Sequence, residues 1–404
     1  MIKEAFPLKY WRGYLTAFIF AVMTWALMQC GQKFTGLVDM VYPYVIRTLQ
    51  TMLAQWSGGV DFVLWQMLVM VLLVVVAATV VLMIVLKWNP IQWLGWVLAG
   101  ASGIYLLYTL VYGLNYFSGP MAEDIRLEIA PYTIEELTEA AEYYRDKANE
   151  LAPQVNRDAQ GNVDFADFAT LAEQTGDGFT KLVYDFSFPI FAGETMPVKT
   201  LSWGDWLMNR GVTGITVGLT GEAAVNSNNP DILMPFAMSH EMAHRMCVYK
   251  EEDANFAAFL AGHVNESLEY QYSAYFMAYR YCYSSLVAAN TTASSAAAAR
   301  VNSGVCKELY QDLTYYSNFF SGTVGSGAIS ANAETVTPDE TGFVSYGAVT
   351  DMLVSWHIQQ IVLPSLTVEE LPFDPYDTTQ VDLSGIGNAR IPETTEAPQE
   401  GENG

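Results

Sequence analysis

DILMPFAMSHEMAHRMCVYKEEDANF, residues 231–256, holds half of the chain's four histidines and follows them with a run of carboxylates. His240 and His244 stand at i and i+4. In a helix that spacing stacks two imidazoles on one face, about 6 Å apart, within reach of a single metal ion, and carries Glu241 to the edge of the same face. This is the HExxH arrangement. Zinc suits it, because neutral imidazole nitrogens bind that ion well and a neighbouring carboxylate can take a proton from water held at an open fourth position. Met238, Met242, Ala243 and Met246 give the helix the uncharged surroundings of a half-buried site, with Arg245 as the exception, and Asp231 is expected to cap its start.

The third ligand is expected to be Glu251. A straight helix would carry it about 10 Å beyond His244, so the backbone must turn between Met246 and Lys250 before a second helix begins. In the resulting ExxAN pattern Glu251 faces the ion, small Ala254 permits close packing, and Asn255 is one turn on, where it can accept an N–H from a ligand imidazole. Glu252 and Asp253 are the competing carboxylates; helical geometry sends them to other faces, which ranks them as solvated groups first and ligands second.

HEMAH followed by EEDANF resembles the glutamate-zincin metallopeptidases, in particular bacterial membrane proteins with N-terminal membrane helices that are catalogued as a domain of unknown function. GLNYFSGP (113–120), YTIEEL (132–137), LTGEAAVN (219–226), QYSAYFMAY (271–279) and GFVSYGAVTDML (342–353) carry the same resemblance across nearly all of residues 10 to 363. Two departures stand out. The turn after the second histidine, where the family has glycine, holds Cys247, and the more familiar ExxAD ends in Asn255. Because Val248 and Tyr249 would also resist positive φ, the turn is expected to use ordinary dihedrals, with Cys247 as a small buried filler and not a fourth ligand.

A chain of 404 residues that is 51% hydrophobic contains more apolar residue than a soluble protein of that size needs, so a membrane part is expected. The balance of 19 basic against 43 acidic residues, net −24, argues against nucleic acid as a partner and suits an extracytoplasmic face. Four cysteines without a CxxC pair support neither a zinc knuckle nor a redox motif; Cys282 and Cys306 read either as a disulfide or as two buried thiols.

Residues 1–115 read as a membrane domain with three transmembrane helices at about 15–29, 62–86 and 91–112; the strongest, 62–86, is long enough for a hydrocarbon core about 30 Å thick. Residues 33–60 mix Lys33, Asp39 and Arg47 with apolar residues and read as an interfacial helix or short re-entrant segment. Lys3, Lys9 and Arg12 place the N-terminus in the cytoplasm and everything after residue 115 outside. Residues 116–370 are expected to form an α+β, mainly helical, zincin-like metallopeptidase domain, and the acidic residues 371–404 a disordered tail. Within that domain Thr133 and Glu136 form a capping box for a helix to about Leu151. NRDAQGNVDFAD (156–167) lacks the end ligands of a calcium loop and reads as a polar turn before a helix capped near Asp164. Residues 212–226 read as strands, including an edge strand of the kind that binds extended peptide in zincin-like enzymes, with Glu222 and Asn226 either lining that cleft or solvated.

Five further helices follow Asn255, and residues 321–341 read as a mobile loop. Tyr272, Tyr275 and Tyr279 share helical spacing, and Tyr272 is the phenol expected to stabilise an oxyanion, with His357 as the second candidate. The expected activity is peptide hydrolysis: zinc on His240, His244 and Glu251, with Glu241 as general base towards water and then as proton donor to the leaving amine. The rival is a non-catalytic membrane receptor or scaffold that keeps the zincin shape to bind a peptide.

Overall fold

The computed structural model describes residues 10–193, 195–321 and 347–365. The basic residues Lys3 and Lys9, the loop expected at 321–341 beyond Ser321, and the acidic tail 371–404 lie outside them. The chain divides into units Met1–Ile358 and Gln359–Gly404; in the second, the described residues are 359–365, all helical.

Among the described residues, three helices are long and apolar enough to cross a membrane: α1 (Arg12–Lys33), α3 (Leu64–Val85) and α4 (Pro90–Val111). Between the first two lies α2 (Thr35–Gly58). Asn89 starts α4, its side-chain oxygen accepting from the N–H groups of Ile91 and Gln92 at 2.9 and 3.2 Å, with Pro90 fitted into the first turn. α1 packs on α4 where two glycines meet: a Cβ on Gly13 would lie 2.5 Å from the carbonyl carbon of Gly95, so the backbones touch as small-residue interfaces between membrane helices allow. Tyr14 ties the same ends together by donating to the Ile91 carbonyl at 2.8 Å.

After a 3-10 turn over Gly113–Phe117 and the short α5 (Met121–Asp124), the remaining part is mainly helical with few strands. α6 (Ile134–Leu151) begins at the expected capping box, with Glu136 accepting from the Thr133 N–H at 2.6 Å and Thr133 accepting from the Glu136 N–H at 3.2 Å. In the polar turn before α7 (Phe168–Tyr184), Asp158 accepts from the N–H groups of Gln160 and Asn162, both at 2.9 Å, so its oxygens organise the loop. The cap of α7 is Asp167 rather than Asp164, accepting from Ala169 and Thr170.

A small sheet follows, with β1 (Lys199–Thr200), the short α8 (Gly204–Met208), β2 (Gly214–Val217) and β3 (Glu222–Val225). Its order is β1-β3-β2; β1 runs parallel to β3 and β2 antiparallel, with Gly214 opposite Val225 and Val217 opposite Glu222. Among the described residues β2 is therefore an edge. Next come α9 (Met234–Arg245), α10 (Glu251–Val264), α11 (Leu268–Ala288), α12 (Thr292–Ser303), α13 (Lys307–Ser321) and α14 (Ala348–His357). Met238, Met242, Ala254, Phe256 and Phe276 from α9, α10 and α11 are fully buried in one core with Leu137 and Tyr144 of α6. The four cysteines are all unpaired, so Cys282 and Cys306 form no disulfide.

Glu222 neither lines the cleft nor meets water. Its carboxylate, with no exposed side-chain surface, accepts from the N–H groups of Leu64 and Trp65 at 2.8 and 2.9 Å and from Lys199 Nζ at 2.8 Å. A carboxylate against the free N–H groups of a helix start is favoured by both hydrogen bonding and the helix dipole, so this strand residue caps α3. Asn226 is likewise structural, its Nδ2 donating to the carbonyls of Gly204 and Val212 at 2.8 and 3.2 Å.

Candidate metal centre

α9 grows out of a 3-10 turn over Asp231–Leu233, and no side chain caps it; Asp231 does not play that part. At its far end the Cys247 N–H donates to the His244 carbonyl and the Val248 N–H to the Ala243 carbonyl, at 3.0 and 3.1 Å. These are the two bonds of a Schellman closure, in which one residue adopts the left-handed conformation. That residue is Cys247, with φ +72°, against the expectation of ordinary dihedrals. Only this position needs positive φ; Val248 and Tyr249 escape it, so their bulk never opposed the turn. The side chain of Asn115 donates to the Cys247 carbonyl, and a cysteine here costs roughly 1–2 kcal/mol relative to glycine. As expected, Cys247 is buried and stands outside the ligand cluster.

The turn ends in extended Lys250 and starts α10 with Glu251 at its first residue. His240, His244 and Glu251 then come together, each offering one atom within 4.8 Å of the other two. The separations are 3.0 Å between the two Nε2 atoms, 3.3 Å from His240 Nε2 to Glu251 Oε2 and 3.5 Å from His244 Nε2 to Glu251 Oε1. Tetrahedral zinc with bonds of about 2.0–2.1 Å needs its ligand atoms about 3.3 Å apart, so the residues fit that ion. The chemistry of the donors agrees. His244 Nδ1 lies 2.7 Å from the Val248 carbonyl, which can only accept; the proton belongs on Nδ1, and Nε2 presents its lone pair to the cluster.

The expected role of Asn255 is not realised. It lines the cavity, but His240 Nδ1 is buried with no hydrogen-bond partner among the described residues. Of the competing carboxylates, Asp253 turns away and accepts from the Met121 N–H at 3.2 Å, while Glu252 lines the cavity outside the cluster. The imidazoles of His240 and His244, which donate to Glu251 once they carry their second proton, hold its carboxyl well below the usual carboxylate range. Burial alone would depress the His244 imidazole, but Glu251 and Glu241 outweigh it and raise its pKa.

Glu241 is buried beneath the edge strand. Thr216 of β2 donates to Glu241 Oε2 at 2.7 Å, and a Cβ on Gly214 would lie 2.4 Å from Glu241 Oε1, so glycine is what lets this strand lie against the carboxylate. The cluster opens into a cavity of about 730 Å³ bounded by β2, α9, Tyr281 of α11, the first residues of α14, and Tyr108 and Tyr112 at the end of α4. Tyr112 Oη donates to the carbonyl of His244 at 2.9 Å, which joins the end of α4 directly to a residue of the cluster.

Tyr272 and His357 are not at this cavity. The Tyr272 hydroxyl donates to Asp312, which also takes both terminal nitrogens of Arg157 at 3.0 and 2.8 Å, in a buried network on the far side of α11. Tyr281, nine positions on and so about half a turn round the helix, faces the site instead. Burial pushes its phenol pKa up, with the charge of Glu251 a smaller cause, so the phenol stays protonated at neutral pH. His357 sits at the opposite end of α14 from the residues that reach the cavity, its ring 4.9 Å from that of Tyr143. Tyr281 lies off the tyrosine stripe that drew attention to α11, and its sequence position carries no separate signal. Gly214 and Thr216 fall in the expected edge strand, where only a partner residue distinguishes them.

The chain belongs to the family described as Protein of unknown function (DUF3810), which matches residues 38–354. The matched span begins in α2 and runs into α14, so it includes two of the three apolar helices, the ligand cluster and the strand edge. No curated protein and no solved structure matches the chain.

Proposed function

We propose that this DUF3810 protein is a membrane-anchored, zinc-dependent metallopeptidase with a zincin-like domain outside the cytoplasm. The observation that carries the reading is the convergence of three ligand atoms at zinc spacing, with Glu241 held beside them under an open strand edge. Zinc, when bound, supplies Lewis acidity and lowers the pKa of water towards about 7. His240, His244 and Glu251 hold it. Glu241 accepts the proton of the attacking water and returns it to the leaving amine, and the Thr216 hydroxyl fixes the carboxylate that does so. The free side of β2 takes an extended peptide by main-chain hydrogen bonds, which gives affinity without strict side-chain demands. Tyr281, and not Tyr272 or His357, donates its O–H towards the developing oxyanion.

The deciding experiment is the Glu241→Gln exchange, in which a peptidase loses cleavage and a peptide-binding receptor or scaffold loses nothing. A second substitution acts on the same carboxylate from the strand. Gly214→Ala must push Glu241 aside, and a displacement of about 1 Å can cost about 10²-fold, so kcat/KM should fall by about that factor with zinc content unchanged. A Gly214→Ala chain as active as the parent would remove Glu241 from the chemistry.

The topology has its own test. Lys87 lies between α3 and α4, at the opposite end of these helices from exposed Lys147 of α6. A membrane-impermeant amine reagent should label Lys147 on intact cells and Lys87 only after lysis. The reverse pattern would put the domain in the cytoplasm.

A further inference from the structure

We propose that the metal cavity opens at the bilayer surface and that its substrate is the stretch of polypeptide immediately flanking a membrane anchor. This rests on the peptidase reading and narrows it to one substrate class. The three apolar helices present one set of ends to the site. α4 finishes at Val111, and Tyr108 in its last turn and Tyr112 just beyond it line the cavity. α3 begins at Leu64, capped by Glu222 of β3, the strand beside cavity-lining β2. α1 finishes at Lys33, and near that end a Cβ on Gly31 would meet the ring of Phe117, which follows α4. At 22 residues each, these helices are about 33 Å long, little more than a hydrocarbon core of about 30 Å, so their ends lie at the headgroups.

α2 marks the same plane independently. It joins those ends and packs on the turn between β2 and β3, with Gln50 Nε2 donating to the Gly218 carbonyl at 2.8 Å. Its inward face buries Val38, Ile46 and Ala54 together with Arg47, Gln50 and Ser57, whereas Met40, Tyr44, Val45, Met52 and Trp56 are each about 60% exposed or more. A helix of a water-surrounded domain covers side chains of that size; one that lies in a membrane interface leaves them outward. The apolar face is continuous with three membrane spans, so lipid is its occupant. Trp206 extends the plane towards the cavity. It is 55% exposed, on α8 close to the start of α3, and the guanidinium of Arg210, which lines the cavity, stacks 3.7 Å from its ring.

The cluster therefore lies only a few side-chain lengths from the headgroups. An extended chain advances at most about 3.5 Å per residue, so a bond roughly five to ten residues from a membrane anchor reaches it. A freely diffusing peptide gains nothing from this placement, whereas an anchored one is held at high effective concentration beside β2.

The test uses the full chain with zinc in phosphatidylcholine vesicles. Its substrate is a degenerate unstructured 60-residue stretch carried on one transmembrane helix, alongside the same stretch without the helix. Cuts should fall in the first ten or so residues outside the bilayer, at least about 10-fold over the distal ones, and the free stretch should be cut at least about 10-fold more slowly. Even cutting along the anchored stretch, or equal cutting of the free one, overturns the membrane-proximal assignment and leaves the peptidase reading standing. No cutting of either by the zinc-loaded chain overturns both. Photoreactive phosphatidylcholine in the same vesicles reads the placement without activity: cross-links are expected at Met52, Trp56 and Trp206, and their absence while α3 is cross-linked also overturns it.

Discussion

Exchanging Glu241 for Gln leaves about one zinc per chain and lowers peptide cleavage about 10²- to 10⁴-fold, the range that a positioned general base contributes. The separation of the two effects follows from geometry. Glu241 is outside the cluster formed by His240, His244 and Glu251, so removing its charge takes no ligand from the ion. Its Oε2 accepts from the Thr216 hydroxyl at 2.7 Å, a bond the amide oxygen of glutamine keeps, so the packing under β2 survives. What disappears is the basic oxygen. Metal analysis together with the rate of cleavage of a vesicle-anchored peptide reads both quantities in one preparation. A Glu241→Gln chain that retains the parent's rate, with zinc bound, would remove Glu241 as the base, and a zinc-loaded parent that cleaves nothing would leave only the receptor or scaffold reading.

How far the sequence reaches towards this site depends on the range of the interaction. His240, Glu241 and His244 are placed by helical spacing alone, and the capping box at Thr133 and the three apolar helices are equally local signals. Each is recovered in the structure within a few residues of its expected bounds. Glu251 is one step less local, since it needs a turn, and the spacing demands that turn without saying how it is made. The bulk of Val248 and Tyr249 argues against positive φ only if the turn spreads over all three residues, and a Schellman closure concentrates it in Cys247 alone. The face of α11 is out of reach in another way. Tyr272, Tyr275 and Tyr279 fit one helical stripe, but periodicity says which residues share a face and not what the face meets; Tyr272 meets Asp312. Glu222 is further still, because the N–H groups it caps belong to a helix 158 and 157 residues earlier. No window on the sequence contains both partners.

The assignment of the third ligand leads to the other large effect. Glu251→Ala is expected to weaken zinc binding by more than about 100-fold, and Glu252→Ala by less than about threefold. The upper figure is set by outer-shell substitutions, which already cost about 10- to 100-fold, so loss of a ligand must exceed them. The contrast comes from where α10 begins. Extended Lys250 delivers Glu251 as the first helical residue, with its oxygens 3.3 and 3.5 Å from the two imidazole nitrogens. One residue on, the helix has rotated by about 100°, which carries Glu252 along the cavity wall and out of the cluster. Asp253, rotated again, is committed to the Met121 N–H. Thermal unfolding supplies a second measure. Zinc that binds only the folded chain stabilises it by about 2.7 kcal/mol at a free concentration 100 times Kd. A concentration giving that gain to the parent should give the Glu251→Ala chain less than about 0.5 kcal/mol and leave the Glu252→Ala chain close to the parent. Equal losses in the two chains, by competition titration and by melting alike, would mean that the ion is held by general acidity around α10 and not by Glu251, and the zinc geometry on which Glu241 depends would fall with it.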